Sequence, residues 1–305
     1  MLRSGIFKAL DILGLPSVLL STKHGKGTVV LYHGVTSEKG TGIFNYRGKH
    51  VHTAAFAKQV AWMHKHYTIL PLQELLTHPD LGALPRPPLA ITFDDGYRNN
   101  YTDAFPILRE THTPATFFIT TGFIDGTPLP VDTIEYAADT VEEVVRLGTH
   151  LKTLNAQEMR GFLQQVVTDT GRNLQEILND SPYAPMTWSE MQEMERAGMT
   201  FAPHTVTHPI LAHLDAQEQK KEIIDSYNTV KEHLDPLAIF AYPNGSKKDY
   251  TDDTVSILKE AGFAASLTTQ PGVMARHSNM FELPRYTLDG TNDLYRFRLT
   301  VVGAR

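Results

Sequence analysis

Two adjacent carboxylates, Asp94 and Asp95, directly follow an apolar stretch at residues 89–93. The stretch is rich in residues that favour β-strands, and Gly96 allows the chain to turn sharply behind the pair. Two neighbouring carboxylates at the end of a buried strand repel each other unless a positive charge lies beside them. A divalent metal ion would supply that charge, so this stretch predicts a metal site at the end of a strand.

A second motif offers nitrogen ligands for the same ion. His204 and His208 are four residues apart, but Pro203 and Pro209 disfavour a helix around them. We therefore expect a strand end and a tight loop that bring both imidazoles toward one point. One aspartate and two histidines would make a three-ligand site with an open position, the pattern of catalytic zinc. The alternative is that both are unrelated members of the fourteen histidines in the chain.

The order of elements predicts the fold. Strand and helix patterns alternate about eight times, which indicates a parallel sheet that is either closed into a barrel or doubly wound. Polar residues follow the predicted strands at their C-terminal ends, where (β/α) barrels place their active sites, and this favours the barrel. These residues are His33, Asp94, Asp95, His204, Asn244 and Thr268. Strand signals disappear between Gly122 and Thr187, so residues 123–185 are expected to form a helical insertion near the C-terminal rim, with helices at residues 132–147, 156–168 and 172–179. Another helix is expected at residues 99–110, and the polar residues 35–52 are expected to form a loop.

Composition excludes several classes of protein. The 305 residues suffice for one large α/β domain with a substantial core. The chain has no cysteine, which excludes a disulfide framework, thiolate metal ligands and a cysteine nucleophile. Its net charge of −6 is spread along the sequence without a basic run, so nucleic acid is not expected as a partner.

The first residues are expected to form a helical extension, residues 1–27, before a single domain at residues 28–305. An apolar pattern in residues 1–21 weakly resembles a signal peptide, but Lys8 and Asp11 interrupt it and no small-residue cleavage site follows. The pattern is also too short and too charged to span a bilayer. We expect an amphipathic helix packed on the domain, with an interfacial helix at a membrane as the alternative. The expected location is the cytoplasm, either free or at the inner face of the membrane.

These motifs resemble those of the polysaccharide deacetylases, the carbohydrate esterase family 4 or NodB-homology group. The resemblance covers roughly residues 28–290. The matching segments, in the family's order, are Leu31-Tyr32-His33, Thr92-Phe93-Asp94-Asp95-Gly96, Thr187-Trp188, His204-Thr205-x-x-His208-Pro209, Phe240-Ala241-Tyr242-Pro243-Asn244-Gly245 and Leu283-Pro284-Arg285.

The resemblance implies a distorted (β/α)7 barrel and a metal-dependent hydrolase. The enzyme would remove an N-acetyl group from an amino sugar in a polysaccharide or oligosaccharide. Asp95, His204 and His208 would hold the metal, with zinc as the expected ion and Co²⁺, Ni²⁺ or Mn²⁺ as alternatives. Asp94 would stay off the metal and act as general base toward an activated water.

Two departures from the family pattern leave roles open. Ala241 stands where many members carry an arginine that orients the base, and Arg285 is a candidate replacement. The C-terminal histidine that protonates the leaving amine in many members has no match, and His33 is a candidate proton donor or substrate contact. The alternative is that both Arg285 and His33 are structural. The residues expected to bind substrate are Trp188, Tyr242, Pro243 and Asn244.

Two other functions are kept as alternatives. One is a deacetylase or deformylase of a lipid-linked or nucleotide-linked sugar in cell-envelope glycan biosynthesis, which the apolar N-terminus favours. The other is a glycan-binding barrel with impaired catalysis, which the unplaced arginine and histidine would fit.

Overall fold

Parallel strands form the centre of the computed structural model, which describes residues 8–38, 43–179, 183–290 and 293–304. Their bounds in chain order are β1 (Thr28–Tyr32), β2 (Gly34–Thr36), β3 (His50–His52), β4 (Thr68–Ile69), β5 (Pro88–Phe93), β6 (Thr116–Ile119), β7 (Thr200–Pro203), β8 (Ile239–Ala241), β9 (Ala265–Leu267) and β10 (Tyr286–Thr287).

The principal strands follow one another around a barrel. The main sheet has the order β10-β1-β5-β6-β7, β4 pairs with the start of β5, and β8 and β9 form a separate pair; every one of these pairings is parallel. Leu237 N donates to Phe201 O at 2.8 Å between β7 and β8, and a bridge joins Leu267 to Leu283 ahead of β10. The predicted irregular (β/α) barrel is confirmed, although no continuous ladder closes it within the described residues.

Helices surround the strands. Their bounds are α1 (Leu15–Ser21), α2 (Thr53–His66), α3 (Leu72–Thr77), α4 (Phe105–Glu110), α5 (Thr121–Ile124), α6 (Pro130–Ala137), α7 (Val141–Leu151), α8 (Ala156–Thr170), α9 (Leu174–Asn179), α10 (Trp188–Arg196), α11 (Ala216–His233), α12 (Asp252–Glu260) and α13 (Leu294–Val301). Helices α8, α10 and α11 each begin with a capping box, in which the N-cap and the third helical residue satisfy each other's backbone N–H groups.

The strands are buried on both faces. All residues of β1 and β5 are buried, as expected for parallel strands covered on each side. Val30, Ile91 and Phe117 pack in one apolar cluster, while Ala90 and Phe118 pack in a second, because successive side chains of a strand point to opposite faces.

Helices α6 to α9 occupy the segment for which the sequence predicted a helical insertion. At one end of this segment Gly122 N donates to Val206 O at 2.8 Å, and beyond the other end Met186 N donates to Gly96 O at 3.0 Å. Both acceptors follow C-terminal strand ends, so the insertion lies at that rim. The expected helix at residues 132–147 is two helices, because Thr140 caps α7 by accepting a hydrogen bond from Glu143 N.

Two other expectations differ from the structure, which also contains a helix that was not predicted. Residues 99–110 begin with a π-helical turn, Asn100–Ala104, and Pro106 lies in the first turn of α4, where a missing N–H costs little. The stretch at residues 35–52 was expected to be a loop but contains the parallel pair β2 and β3. Helix α13 was not predicted.

The N-terminal helix packs on the domain through one face. Leu20 of α1 lies against the main apolar cluster, whereas Val18 of the same helix and the preceding Ile12 and Leu13 are exposed. No helix in the described part of the chain is both long and apolar enough to cross a membrane. Contact with a membrane surface stays a prediction, and residues 1–7 of the segment named for it lie outside the described residues.

Candidate active site

The two adjacent aspartates diverge at the end of β5. Asp94 N donates to Tyr32 O at 3.0 Å, so Asp94 continues the hydrogen bonding of the sheet. Asp95 has a φ of +78° and Gly96 a φ of +100°. An aspartate in this left-handed region is uncommon, and such strain is found where the surrounding structure fixes a functional residue. The turn directs the two carboxylates to different partners.

His204 is held by the backbone of two neighbouring strands. Its N–H donates to Ile119 O at 2.9 Å, and its ring Nδ1 lies 2.7 Å from Ala241 O. Because a carbonyl oxygen only accepts, Nδ1 carries the proton and Nε2 is left with its lone pair, as a metal ligand requires.

His208 is placed by a tight loop, as the flanking prolines predict. Thr205 and His208 have φ values of +68° and +56°, and His208 N donates to Thr205 Oγ1 at 3.1 Å. Glu222 of α11 accepts hydrogen bonds from Val206 N at 2.8 Å and Thr207 N at 2.9 Å. The loop therefore has a rigid support outside the cavity.

Asp95, His204 and His208 meet at one point. Asp95 Oδ1 lies 3.6 Å from His204 Nε2 and 3.4 Å from His208 Nε2. Two ligands of a tetrahedral zinc, each about 2.0–2.2 Å from the ion, would have a similar separation. The same oxygen is buried without a hydrogen-bond partner, which is costly unless a cation completes it. Burial lowers the pKa of both histidines to about 4, so they are neutral and able to ligate. These three residues fit a divalent metal.

Arg285 holds Asp94. Its Nη1 and Nη2 donate to the two Asp94 oxygens at 2.7 and 2.8 Å, and its Nε donates to Thr268 O at 2.9 Å. Both side chains of the ion pair are buried. Burial alone would raise the pKa of Asp94, but the guanidinium charge outweighs it and the pKa lies below its usual value. The structure thus places the Arg285 charge where the sequence suggested it was needed, on an ionised and oriented carboxylate.

His33 follows β1 near the same strand ends. Its Nδ1 lies 3.1 Å from Asp289 Oδ1, and the ring is 21% exposed. Burial by itself lowers the pKa of His33. The negative charge of Asp289, the hydrogen bond to it and the charges of Asp95 and Asp94 outweigh burial and raise the pKa to about 9. At neutral pH His33 is therefore a protonated imidazolium.

These groups share one cavity of about 310 Å³. We call Asp94, Asp95, His204, His208 and Arg285 the strand-end cluster; all but Arg285, which lies behind Asp94, line the cavity. The other lining residues are His33, Arg47, Lys49, Tyr97, Leu129, Val131, Asn244, Thr269, Thr287 and Asp289.

The expected substrate-binding residues are only partly placed there. Asn244 lines the cavity. Tyr242 is fully buried, with its hydroxyl donating to Phe281 O at 2.9 Å and its ring stacked on Tyr250. Trp188 stacks on His233 at 4.3 Å between helices outside the barrel. Pro243 is buried and is not among the cavity-lining residues described.

The resemblance also suggests backbone N–H groups around Asn244 and Gly245 as donors to the oxyanion of the reaction. Gly245 N donates to Pro243 O at 2.6 Å, so this N–H is already used within the loop. Arg47, Lys49 and Tyr97 also line the cavity, but the sequence analysis assigned them no role in the site. Tyr97 directly follows the Asp-Asp-Gly motif, so its position near the site could have been predicted. Arg47 and Lys49 lie in a stretch without a motif.

Comparisons with known proteins agree with this geometry. The family model for polysaccharide deacetylase matches residues 82–266, more than half of the chain. YxkH of Bacillus subtilis, provisionally named a polysaccharide deacetylase, is 23% identical over 266 residues, 86% of this chain and 71% of that protein. The poly-beta-1,6-N-acetyl-D-glucosamine N-deacetylase of Staphylococcus epidermidis is 36% identical over 73 residues, 24% of this chain and only 25% of its own length.

The fold agrees as well. The structure of IcaB from Ammonifex degensii superposes with a TM-score of 0.61 at 18% identity, covering 92% of this chain and 96% of that chain. With the family model matched across the aspartate and histidine motifs, the chain belongs to the polysaccharide deacetylase family.

Proposed function

We propose that the protein is a metal-dependent hydrolase that removes an N-acetyl group from an amino sugar within a polysaccharide or oligosaccharide. The observation that carries this proposal is that the adjacent residues Asp94 and Asp95 have different partners. Asp95 faces two neutral histidines, while Asp94 is ionised, held by Arg285 and 4.0 Å from His204 Nε2. A set of metal ligands beside an ionised carboxylate is what metal-assisted amide hydrolysis needs.

Asp95, His204 and His208 would hold the metal, with zinc as the preferred ion for two imidazoles and a carboxylate. When bound, it would polarise the acyl carbonyl and make water a stronger nucleophile. Asp94 accepts the proton of the attacking water, since its carboxylate is ionised and oriented. His33 donates a proton to the sugar nitrogen as the amide C–N bond breaks. The products are acetate and a free amino sugar.

The position of α1 favours a glycan over a lipid-linked sugar. Pro16 and Leu20 of α1 line a groove together with Lys65 and His66, which come just before β4. Helix α1 therefore lies near the N-terminal ends of the strands, whereas His33 of the cavity follows the C-terminal end of β1. A membrane contact through α1 would thus leave the cavity facing away from the bilayer.

The test is acetate release from β-1,6-linked N-acetylglucosamine oligomers, chosen because of the staphylococcal relatives' names. Wild-type protein stripped by a chelator should be inactive and recover with Zn²⁺. Asp95→Asn should lose both metal and activity, because a neutral amide is a weaker ligand. Asp94→Asn should keep the metal and lose about 10²–10⁴-fold in kcat, the usual contribution of a general base.

Two outcomes would contradict the proposal. Near wild-type release by metal-loaded Asp94→Asn would assign the base to another group, with His33 examined first. Binding of oligomers without release by the metal-loaded wild type, across N-acetylated glycans and sugar nucleotides, would favour the glycan-binding alternative.

A further inference from the structure

A turn at residues 45–49, which we call the cationic turn, forms one wall of the cavity. Asn45 clamps it, since its Nδ2 donates to His50 O at 2.7 Å and its Oδ1 accepts from His50 N at 2.8 Å. Gly48 N donates to Asn45 O at 2.8 Å. Asn45 and Gly48 have φ values of +56° and +71°, so the turn has one specific conformation.

The cationic turn is also wedged between two other parts of the molecule. On one side Gly290 N donates to Gly48 O, and a Cβ on Gly48 would overlap the Cα of Gly290. On the other side Ile43 and Tyr46 pack against the apolar cluster of the insertion helices. The backbone from which the Arg47 and Lys49 side chains extend toward the cavity is therefore held in place.

Two of those side chains are cations. The Arg47 guanidinium lies over the Tyr46 ring, 5.2 Å from its centroid, and its Nε donates to the Tyr46 hydroxyl. Lys49 Nζ donates to a carboxylate oxygen of Asp132 and to the Tyr97 hydroxyl at 2.7 Å. These bonds use two of its three N–H groups and leave one for a ligand.

Without a metal the charges around the cavity balance, since the cations Arg285, His33, Lys49 and Arg47 are matched by the carboxylates Asp94, Asp289, Asp132 and Asp95. Most are paired within the protein, as Arg285 with Asp94, His33 with Asp289 and Lys49 with Asp132. None of the ion pairs in the described part of the chain involves Arg47. A divalent metal on Asp95 would add two positive charges. With that ion bound, the cavity would carry a net positive charge within a chain of net charge −6.

We propose that Arg47 and Lys49 form a subsite for an anionic group, a carboxylate or a phosphate, on the glycan beside the sugar that is deacetylated. The inference rests on the proposed function and narrows its substrate class to acidic glycans. The planar guanidinium matches both anions with two parallel hydrogen bonds, and the free Lys49 N–H adds a third. A neutral glycan could not form these charge-assisted hydrogen bonds.

The experiment compares N-acetylglucosamine oligomers of one length in three forms: neutral, with a neighbouring hexuronic acid, and with a neighbouring phosphate. The wild type should have a kcat/KM about tenfold or more higher for an anionic form, since hydrogen bonds to charged groups are the stronger ones. Arg47→Met should bring that ratio close to one. The matched control is Arg172→Met, which removes a partly exposed arginine paired with Asp139 in the insertion, and it should leave the ratio unchanged.

A second variant, Lys49→Arg, tests the subsite without removing the positive charge that the folded protein needs beside Asp132. Lys49→Arg preserves the charge beside buried Asp132 but changes the donor geometry, so it should lower the ratio without a loss of thermal stability. The preferred anionic form identifies the group as carboxylate or phosphate. Higher ionic strength should weaken the preference, because Arg47 is exposed and its charge is screened.

Equal kcat/KM values for neutral and anionic oligomers, or an unchanged ratio in Arg47→Met, would overturn the subsite. Failure of the proposed function is a separate result, in which metal-loaded wild type releases acetate from no oligomer. The subsite is then tested by the dissociation constants of the same three oligomers, with the same expectation for wild type and Arg47→Met.

Discussion

The strand-end cluster and the cationic turn face each other across one cavity but are built differently. In the cluster, backbone groups of neighbouring strands fix His204 and Asp94, and buried Arg285 fixes the Asp94 carboxylate. The cationic turn is held by Asn45 and by contacts with the insertion. The strands thus fix the groups proposed for chemistry, whereas the groups proposed for recognition lie on a segment outside the main sheet. Three substitutions test this separation.

The largest effect is expected from Arg285→Met in the strand-end cluster. It leaves Asp94 as a buried, unpaired charge, and removal of one partner of such a pair typically costs about 3–5 kcal/mol of unfolding free energy. Activity should fall as well, because the base loses its orientation and its pKa rises. Urea denaturation and acetate release measure the two effects.

The double variant Arg285→Met with Asp94→Asn provides the control. Both charges are then absent, so part of the lost unfolding free energy should return while activity does not. If Arg285→Met alone were as stable as wild type, the buried pair would not hold the cluster together, and the contrast with the turn would fail.

The sequence predicted the strand-end cluster because its signals are local. Asp94, Asp95, His204 and His208 lie in two short motifs, each just beyond a strand whose apolar run is itself recognisable. Parallel strands then bring their ends to one rim, so adjacency follows from topology. Arg285 and Asp94 are 191 positions apart in the sequence. From the sequence alone, Arg285 could therefore be proposed either as the group that orients the base or as a structural arginine.

The cationic turn could not be predicted from the sequence, because distant contacts determine its conformation. Its conformation depends on the close approach of Gly48 to Gly290 and on an insertion helix that supplies Asp132 to Lys49. No pattern in residues 35–52 reports such distant contacts, and the polar composition indicated only a loop. Tyr242 was misplaced for a related reason, since its ring turns inward to Tyr250 rather than toward the cavity.

A smaller effect is expected from Gly48→Ala in the cationic turn. A Cβ at φ +71° is strained and overlaps the Gly290 backbone, so the turn must shift. Strain of this kind costs about 1–3 kcal/mol. KM for the preferred oligomer should rise about tenfold or less, with kcat and metal content unchanged.

Gly171→Ala is the matched control, because this glycine also has a positive φ, +63°, but no atom lies within 4 Å of the added Cβ. It should reproduce the strain without the change in KM. A drop in kcat at constant KM for Gly48→Ala would show that the turn and the cluster are not separable.

The smallest effect at neutral pH is expected from Asp289→Asn, at the junction between the two regions. Asp289 precedes Gly290, which contacts the turn, and its carboxylate holds the pKa of His33 at about 9. An amide removes that negative charge, and loss of a neighbouring opposite charge typically shifts a pKa by about 1–3 units, here downward.

A histidine that donates a proton must be protonated, so the rate falls as the pH rises through its pKa. The alkaline limb of the kcat–pH profile should therefore move to lower pH, while the rate below the lowered pKa and the metal content stay close to wild type. An alkaline limb at the wild-type position would remove His33 from the role of proton donor and would assign Asp289 to support of the neighbouring turn.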